Sequence, residues 1–226
     1  MSGKIATLAG ATGLIGGELL NLLLNDTYYT SVRVLVRRPF AMEHPKLEKK
    51  IIDFSDADSL LVALDESEAV FVTIGTTQKK VKGDKEAYRK IDYDIVVNLA
   101  KYSKIVGCRK FILVSAVGAS SASNNFYLKL KGEVEDAVKE IGIDSTHIMR
   151  PSILLGKRNE SRSLEKISQS VMKTFSFLLP SRYRPIEASD VAKAMLIAAK
   201  KNKKGAFFYE HSEMRKLISL TEVAFL

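Results

Sequence analysis

The sequence predicts a doubly wound α/β domain on a parallel sheet. Three observations carry this. Short apolar runs alternate with longer segments of helical periodicity along most of the chain. Three glycines stand at even spacing between the first apolar run and the first helical segment. No linker, repeat or low-complexity stretch divides the 226 residues, so a single domain is expected.

Lys4-Ile5-Ala6-Thr7-Leu8-Ala9 reads as a buried strand bounded by glycine, and Leu14 to Leu24 as a helix stopped at Asn25-Asp26. Val32–Val36 is a second strand, ended by Arg37-Arg38-Pro39. Lys50–Phe54 reads as a third, Ser59–Leu64 as a short helix, and Ala69–Ile74 as a fourth strand running into Gly75. One long helix is predicted over Lys85–Ile105, followed by a strand at Lys110–Val114 and a helix from Tyr127 to Ile141 closed by Gly142. A sixth strand at Ser145–Met149 and a helix at Asp190–Lys201 complete the pattern. Helices of this length between strands imply crossovers that cover both sheet faces. The Ser/Asn-rich 119–125 segment reads as a loop.

With 46% hydrophobic and 27% charged residues, the composition suits a core-forming chain and excludes disordered and collagen-like classes. The single cysteine, Cys108, excludes an internal disulfide and reads as a small core residue; the three histidines have no metal-site spacing, and no metal is expected. No apolar run approaches the ~18 residues of a membrane span, and the N-terminus lacks the pattern of a secretory signal. A cytoplasmic location is therefore expected. The net charge of +9 invites a nucleic-acid reading, but the lysine runs at 46–50, 79–82 and 200–204 lie far apart without interleaved aromatics. They read as solvated surface, and neither a nucleic-acid nor a membrane partner is expected.

The glycines fall in Gly10-Ala11-Thr12-Gly13-Leu14-Ile15-Gly16, a G-x-x-G-x-x-G turn from strand into helix. There the backbone can approach a pyrophosphate closely, with a helix N-terminus facing its charge. This is the expected site of a dinucleotide. An NAD site would carry Asp or Glu after the second strand to hold the ribose 2′-hydroxyl; this chain has Arg37 and Arg38 instead. Guanidinium pairs with a 2′-phosphate, so NADP(H) is the expected cofactor.

Tyr127 and Lys131 are four apart on a predicted helix and share a face, a spacing that alone proves little. Their position after the fifth strand, with Ser115 twelve residues earlier, resembles the short-chain dehydrogenase/reductase superfamily, whose catalytic serine, tyrosine and lysine stand at such places. Tyr127 would then exchange a proton with a carbonyl oxygen, Ser115 would orient that oxygen, and Lys131 would hold the nicotinamide ribose. A neighbouring ammonium would also draw the tyrosine pKa downward from about 10.

Further stretches narrow the resemblance. Ile74-Gly75-Thr76-Thr77, the Asp92…Asn98-Leu99 helix, Gly107–Phe111, Asn125-Phe126-Tyr127-Leu128 leading to Lys131-Gly132-Glu133-Val134-Glu135, and Arg150–Leu155 with Arg158–Arg162 are similar to the atypical short-chain dehydrogenases of the Tat-interacting-protein oxidoreductase group, up to about residue 210. That resemblance implies a Rossmann fold, NADPH binding and a reductase-like site. Ala116 departs from the group, where many relatives carry a second serine, and residues 219–226 match nothing in it. The expected cofactor contacts are Gly10, Thr12, Gly13, Leu14, Ile15, Gly16, Arg37, Arg38, Asp53, Phe54, Gly75, Thr76, Thr77, Lys131, Pro151 and Ile153.

The domain expected is 1–218, with a small substrate-side segment from about 150 to 218 and a tail at 219–226. The function expected is NADP(H)-dependent hydride transfer to or from a small carbonyl or alcohol. The alternative is an NADPH-binding sensor that acts through protein partners with little turnover. A sugar-nucleotide epimerase is disfavoured, because only about 75 residues follow Arg150. Either a monomer or a homodimer is compatible with the sequence. The loop from Gly156 to Arg162 is expected to border the substrate.

Overall fold

The apolar runs become strands because helices cover the sheet on both sides and leave no face for water. The computed structural model describes residues 3–77, 81–156 and 180–223. In chain order the strands are β1 (Ile5–Ala9), β2 (Ser31–Val36), β3 (Leu47–Ile51), β4 (Ser67–Val72), β5 (Lys110–Val114), β6 (Ser145–Met149), β7 (Leu154–Leu155), β8 (Ile186–Glu187) and β9 (Gly205–Tyr209). The helices are α1 (Leu14–Asn25), α2 (Ala57–Leu64), α3 (Lys85–Arg89), α4 (Ile95–Ile105), α5 (Phe126–Ile141), α6 (Ala188–Ala199) and α7 (His211–Val223).

Seven strands form one parallel sheet in the order β3-β2-β1-β4-β5-β6-β9, and β7 pairs with β8 in a separate two-stranded piece. The order reverses between β1 and β4, which opens a crevice at their carboxyl ends. On one face α1, α6 and α7 bury Leu19, Leu23, Val191, Met195 and Met214. On the other, α2, α4 and α5 bury Leu60, Leu64, Val96, Leu99, Val134 and Val138. This is the expected single-domain doubly wound fold.

Two predicted elements differ, and further elements follow the last one predicted. The third strand is Leu47–Ile51, not 50–54. Pairing with β2 fixes it, since Val32 through Val36 register with Leu47 through Ile51 and Arg33 reaches Glu48 at 2.8 Å. The charged Glu48-Lys49-Lys50 is tolerated because β3 is an edge strand. The long helix is interrupted by a π turn at Lys90–Asp94 between α3 and α4. That extra-wide turn takes Asp92 into the interior at 1% exposure. Finally, β9 and α7 follow the last predicted helix, and α7 carries the chain through Ser219 to Val223, across the expected break at 218.

The last strand is tied in by a buried histidine. His147 on β6 contacts Ser145 Oγ through Nε2 at 3.0 Å and Tyr209 Oη through Nδ1 at 2.9 Å, and its ring stacks on Phe207. Burial, with Lys201 and Lys110 adding repulsion, pushes its pKa down to about 4. Two of the lysine runs that read as far apart meet at Asp26, at the end of α1. Lys46 Nζ donates to the Asp26 carbonyl at 2.7 Å, and Lys200 Nζ donates to the Asp26 carboxylate at 2.5 Å.

Candidate active site

The turn from β1 to α1 is shaped by two glycines that admit no side chain. Gly10 has φ +98°, and a Cβ there would lie 2.6 Å from Thr73 Oγ1 and 2.8 Å from Ile74 N. A Cβ on Gly16 would lie 2.0 Å from Gly10 O. Gly13 is different: it has ordinary extended backbone (φ −80°, ψ 172°), and its Cβ would meet Gly10 O only at 3.2 Å. Gly13 caps α1 without a side-chain hydrogen bond, and the first turn of α1 holds no acidic residue. By contrast Asp56, Asp84 and Asn125 cap α2, α3 and α5. The first amides of α1 are thus left without a capping side chain, the arrangement that suits an anion.

A cleft of about 1040 Å³ opens over this turn. Its floor is Gly10 to Leu14; one end is formed by Arg37, Arg38, Phe40 and Met42 after β2, the other by Ile74, Gly75 and Thr76 after β4. Arg37 and Arg38 are exposed, and neither makes an ion pair among the described residues. Phe54 lines the same cleft.

Several residues expected as cofactor contacts do not line the cleft. Asp53 does not line the cleft; its carboxylate accepts from the Ser55 amide at 2.9 Å and the Ser55 hydroxyl at 2.7 Å, turning the chain into α2. Ile15 and Gly16 stand behind the turn, Ile15 in the core and Gly16 against Gly10. Thr77, Pro151 and Ile153 are also outside the cleft lining. Pro151 is buried, and its carbonyl accepts from Val117 at 3.0 Å, which holds the loop after β5. Of the expected substrate loop, Lys157–Arg162 lie outside the described residues.

Beyond Thr76 the cleft adjoins a polar cluster that links three elements. Asp92 Oδ2 accepts from the Thr76 amide at 2.8 Å, and Lys131 Nζ from α5 sits 2.9 Å from Asp92 Oδ1. The Tyr88 hydroxyl donates to the Thr76 carbonyl at 3.1 Å, and the Tyr88 ring meets Tyr127 edge-on at 6.5 Å. Lys131 Nζ lies 6.0 Å from the centre of the Tyr127 ring, so the shared helical face is real. Lys131 is 4% exposed, whereas Tyr127 is 36% exposed. Ser115 directly follows β5, its hydroxyl buried and without a hydrogen-bond partner among the described residues.

The expected lowering of the tyrosine pKa does not occur. Burial raises it, Lys131 lowers it and Asp92 raises it again, and the net direction is upward. Asp92 had no assigned role in the sequence, although it stands in one of the stretches that carry the resemblance. Phe40 and Met42 were also missed; an apolar pair directly after Arg37-Arg38-Pro39 was the available signal.

The family model described as NAD(P)H-binding matches residues 10–202. Among curated relatives, a Meyerozyma guilliermondii protein named "Protein FMP52, mitochondrial" is 36% identical over 199 residues, covering 86% of this chain and 84% of its own length. The Candida albicans protein of that name is 34% identical, with 88% and 89% covered. The rat protein HTATIP2 is 31% identical, with 87% and 81% covered. Among solved structures, a UDP-N-acetylglucosamine 4-epimerase from Methanobrevibacter ruminantium has a TM-score of 0.72 at 17% identity, covering all of this chain and 84% of that one. MoeE5 in complex with UDP-glucose and NAD has a TM-score of 0.69 at 16% identity, with 97% and 82% covered. At such identities these two establish the fold alone.

The cytoplasmic expectation is overturned, because the fungal relatives are named mitochondrial. No helix among the described residues is long and apolar enough to cross a membrane. The uncapped glycine turn, the crevice at the sheet's reversal and similarity over most of the chain agree: the chain belongs to the NAD(P)H-binding family, as an atypical short-chain dehydrogenase/reductase of Rossmann fold.

Proposed function

We propose that this chain is an NADP(H)-dependent oxidoreductase acting on a small carbonyl or alcohol, and that it works in mitochondria, as the names of its fungal relatives suggest. The observation that carries the reading is one crevice with Arg37 and Arg38 at one end and the Lys131–Asp92 pair beyond the other. The residues fit a dinucleotide. The glycines let the turn fold tightly against β1 and the start of the β4 loop, and the first amides of α1, with no capping side chain on Gly13, suit a pyrophosphate. Arg37 and Arg38 would pair with the 2′-phosphate, and Gly10, Thr12, Gly13 and Leu14 would line the diphosphate.

When bound, NADPH supplies the hydride to the carbonyl carbon. Tyr127 gives its hydroxyl proton to the oxygen, so the C=O π bond opens as O–H forms. Ser115 has a hydroxyl with no partner among the described residues and would donate to the same oxygen. Lys131 would hold the nicotinamide ribose and face the phenolate that remains, which regains a proton from solvent.

A screen of carbonyl compounds followed by NADPH absorbance tests the reading. Tyr127→Phe should bind NADPH nearly normally while losing turnover by ~10²–10⁴-fold, the usual effect of removing a general acid. Full activity in that variant would overturn the catalytic assignment. Tight NADPH binding by a wild type that turns over nothing would favour the sensor reading.

A further inference from the structure

Asp92 is a carboxylate at 1% exposure, delivered by the single π turn among the described residues, and it contacts Lys131 rather than solvent. A buried charge is retained only when something compensates it. Here compensation comes from the Lys131 ammonium at 2.9 Å and the Thr76 amide at 2.8 Å. The same contacts work on the lysine. As a buried residue whose ammonium is held by a carboxylate, Lys131 presents far less net positive charge to Tyr127 than a free amine would.

Resting on the oxidoreductase reading above, we propose that Asp92 is a positioning residue: it anchors Lys131, balances its charge, and keeps Tyr127 as the protonated phenol, so that the site is built to donate a proton in the reducing direction. The groups facing Tyr127 are Lys131 from α5, Asp92 from the π turn and Tyr88 from α3. Of these only Lys131 is positive. Asp92 and burial both oppose the phenolate, and Tyr88 is itself pushed well above the ordinary tyrosine range by burial and by Asp92. A phenol held in this way remains competent toward the strongly basic oxygen that forms as hydride arrives. Alcohol oxidation uses the phenolate as base, and burial and Asp92 both disfavour that form.

The titration needs neither substrate nor cofactor, and the carbonyl screen above supplies the activity against which it is compared. The pH midpoint of Tyr127 is read by NMR of ring-labelled tyrosine in the cofactor-free protein, with Tyr127→Phe assigning the signal. Asp92→Asn should lower the midpoint by about one to two units, the size of an unbalanced neighbouring charge. Lys131→Met should move it the opposite way, a second arm if Asp92→Asn folds poorly. An Asp92→Asn protein that melts lower but titrates like the wild type would reduce Asp92 to a structural role and overturn the proposal. A shifted midpoint in a protein that reduces no carbonyl would support the charge assignment while removing the reductase reading. An unmoved midpoint in an active reductase would do the reverse.

Discussion

Replacing Gly16 with Ala places a methyl carbon 2.0 Å from Gly10 O, 2.7 Å from Gly10 C and 2.7 Å from Thr73 Oγ1. Two of these atoms are backbone, in a turn already fixed by the φ of +98° at Gly10 and by the Gly13 amide donating to Gly10 O at 2.9 Å. To reach even a 3.0 Å contact the start of α1 must retreat by about 1 Å. That retreat pulls on Leu19, Leu20 and Leu23, each 2% exposed or less. Overpacking of this kind costs ~1–3 kcal/mol, which for a domain of this size lowers Tm by roughly 2–12 °C. Gly13→Ala is the control: its contact is 3.2 Å and its backbone is extended, so only the loss of a good N-cap, under about 1 kcal/mol, is expected. Gly13 lines the cleft, however, so its added methyl should weaken NADPH binding tenfold or more. Scanning calorimetry on the cofactor-free proteins and titration calorimetry with NADPH separate the two effects. A Gly16→Ala protein melting within a degree of wild type would refute the packing argument. Unchanged NADPH affinity in Gly13→Ala would place the pyrophosphate elsewhere.

Replacing Arg37 and Arg38 together with Ala should weaken NADPH about ten- to hundredfold, the value of a lost charge-assisted hydrogen bond, and leave NADH nearly unchanged; equal losses would remove the 2′-phosphate assignment. His147 is held neutral in the fold, with its pKa down at about 4 against 6.5, so the unfolded chain binds the extra proton between those values. Its contribution is therefore complete above pH ~6.5 and fades as the pH falls toward ~4, by up to about 3 kcal/mol. Urea midpoints measured across that window should show a shallower slope in His147→Gln; an identical slope would exclude His147 as its source. The Cys108 thiol is pushed up to about 11 by burial, so iodoacetamide at pH 8 should label the protein only as fast as it unfolds. Rapid labelling of the native protein would contradict its place in the core.

The strand–helix alternation, the glycine turn and the arginines after the second strand are all legible along the chain. Each is a local pattern: apolar periodicity decides which segments bury a face, and Gly10 and Gly16 are required within a single turn. Local pattern also put Tyr127 and Lys131 on one face of α5. The edge strand Leu47–Ile51 was misplaced because its register is set by β2, whereas three of its own five residues are charged. Strand β9 was overlooked because β6 and the His147–Tyr209 contact hold it in place, 62 residues apart along the chain. Lys46 and Lys200 meet at Asp26 through the fold: α1 packs beside α6 and brings the Asp26 carboxylate to Lys200, while the Asp26 carbonyl accepts from Lys46 ahead of β3. The same holds for Asp92. Along the chain it is an ordinary acidic residue in a polar helical stretch. It becomes the counterion of Lys131 because a π turn rotates it inward and α5 packs beside it, and neither fact is carried by its neighbours in sequence.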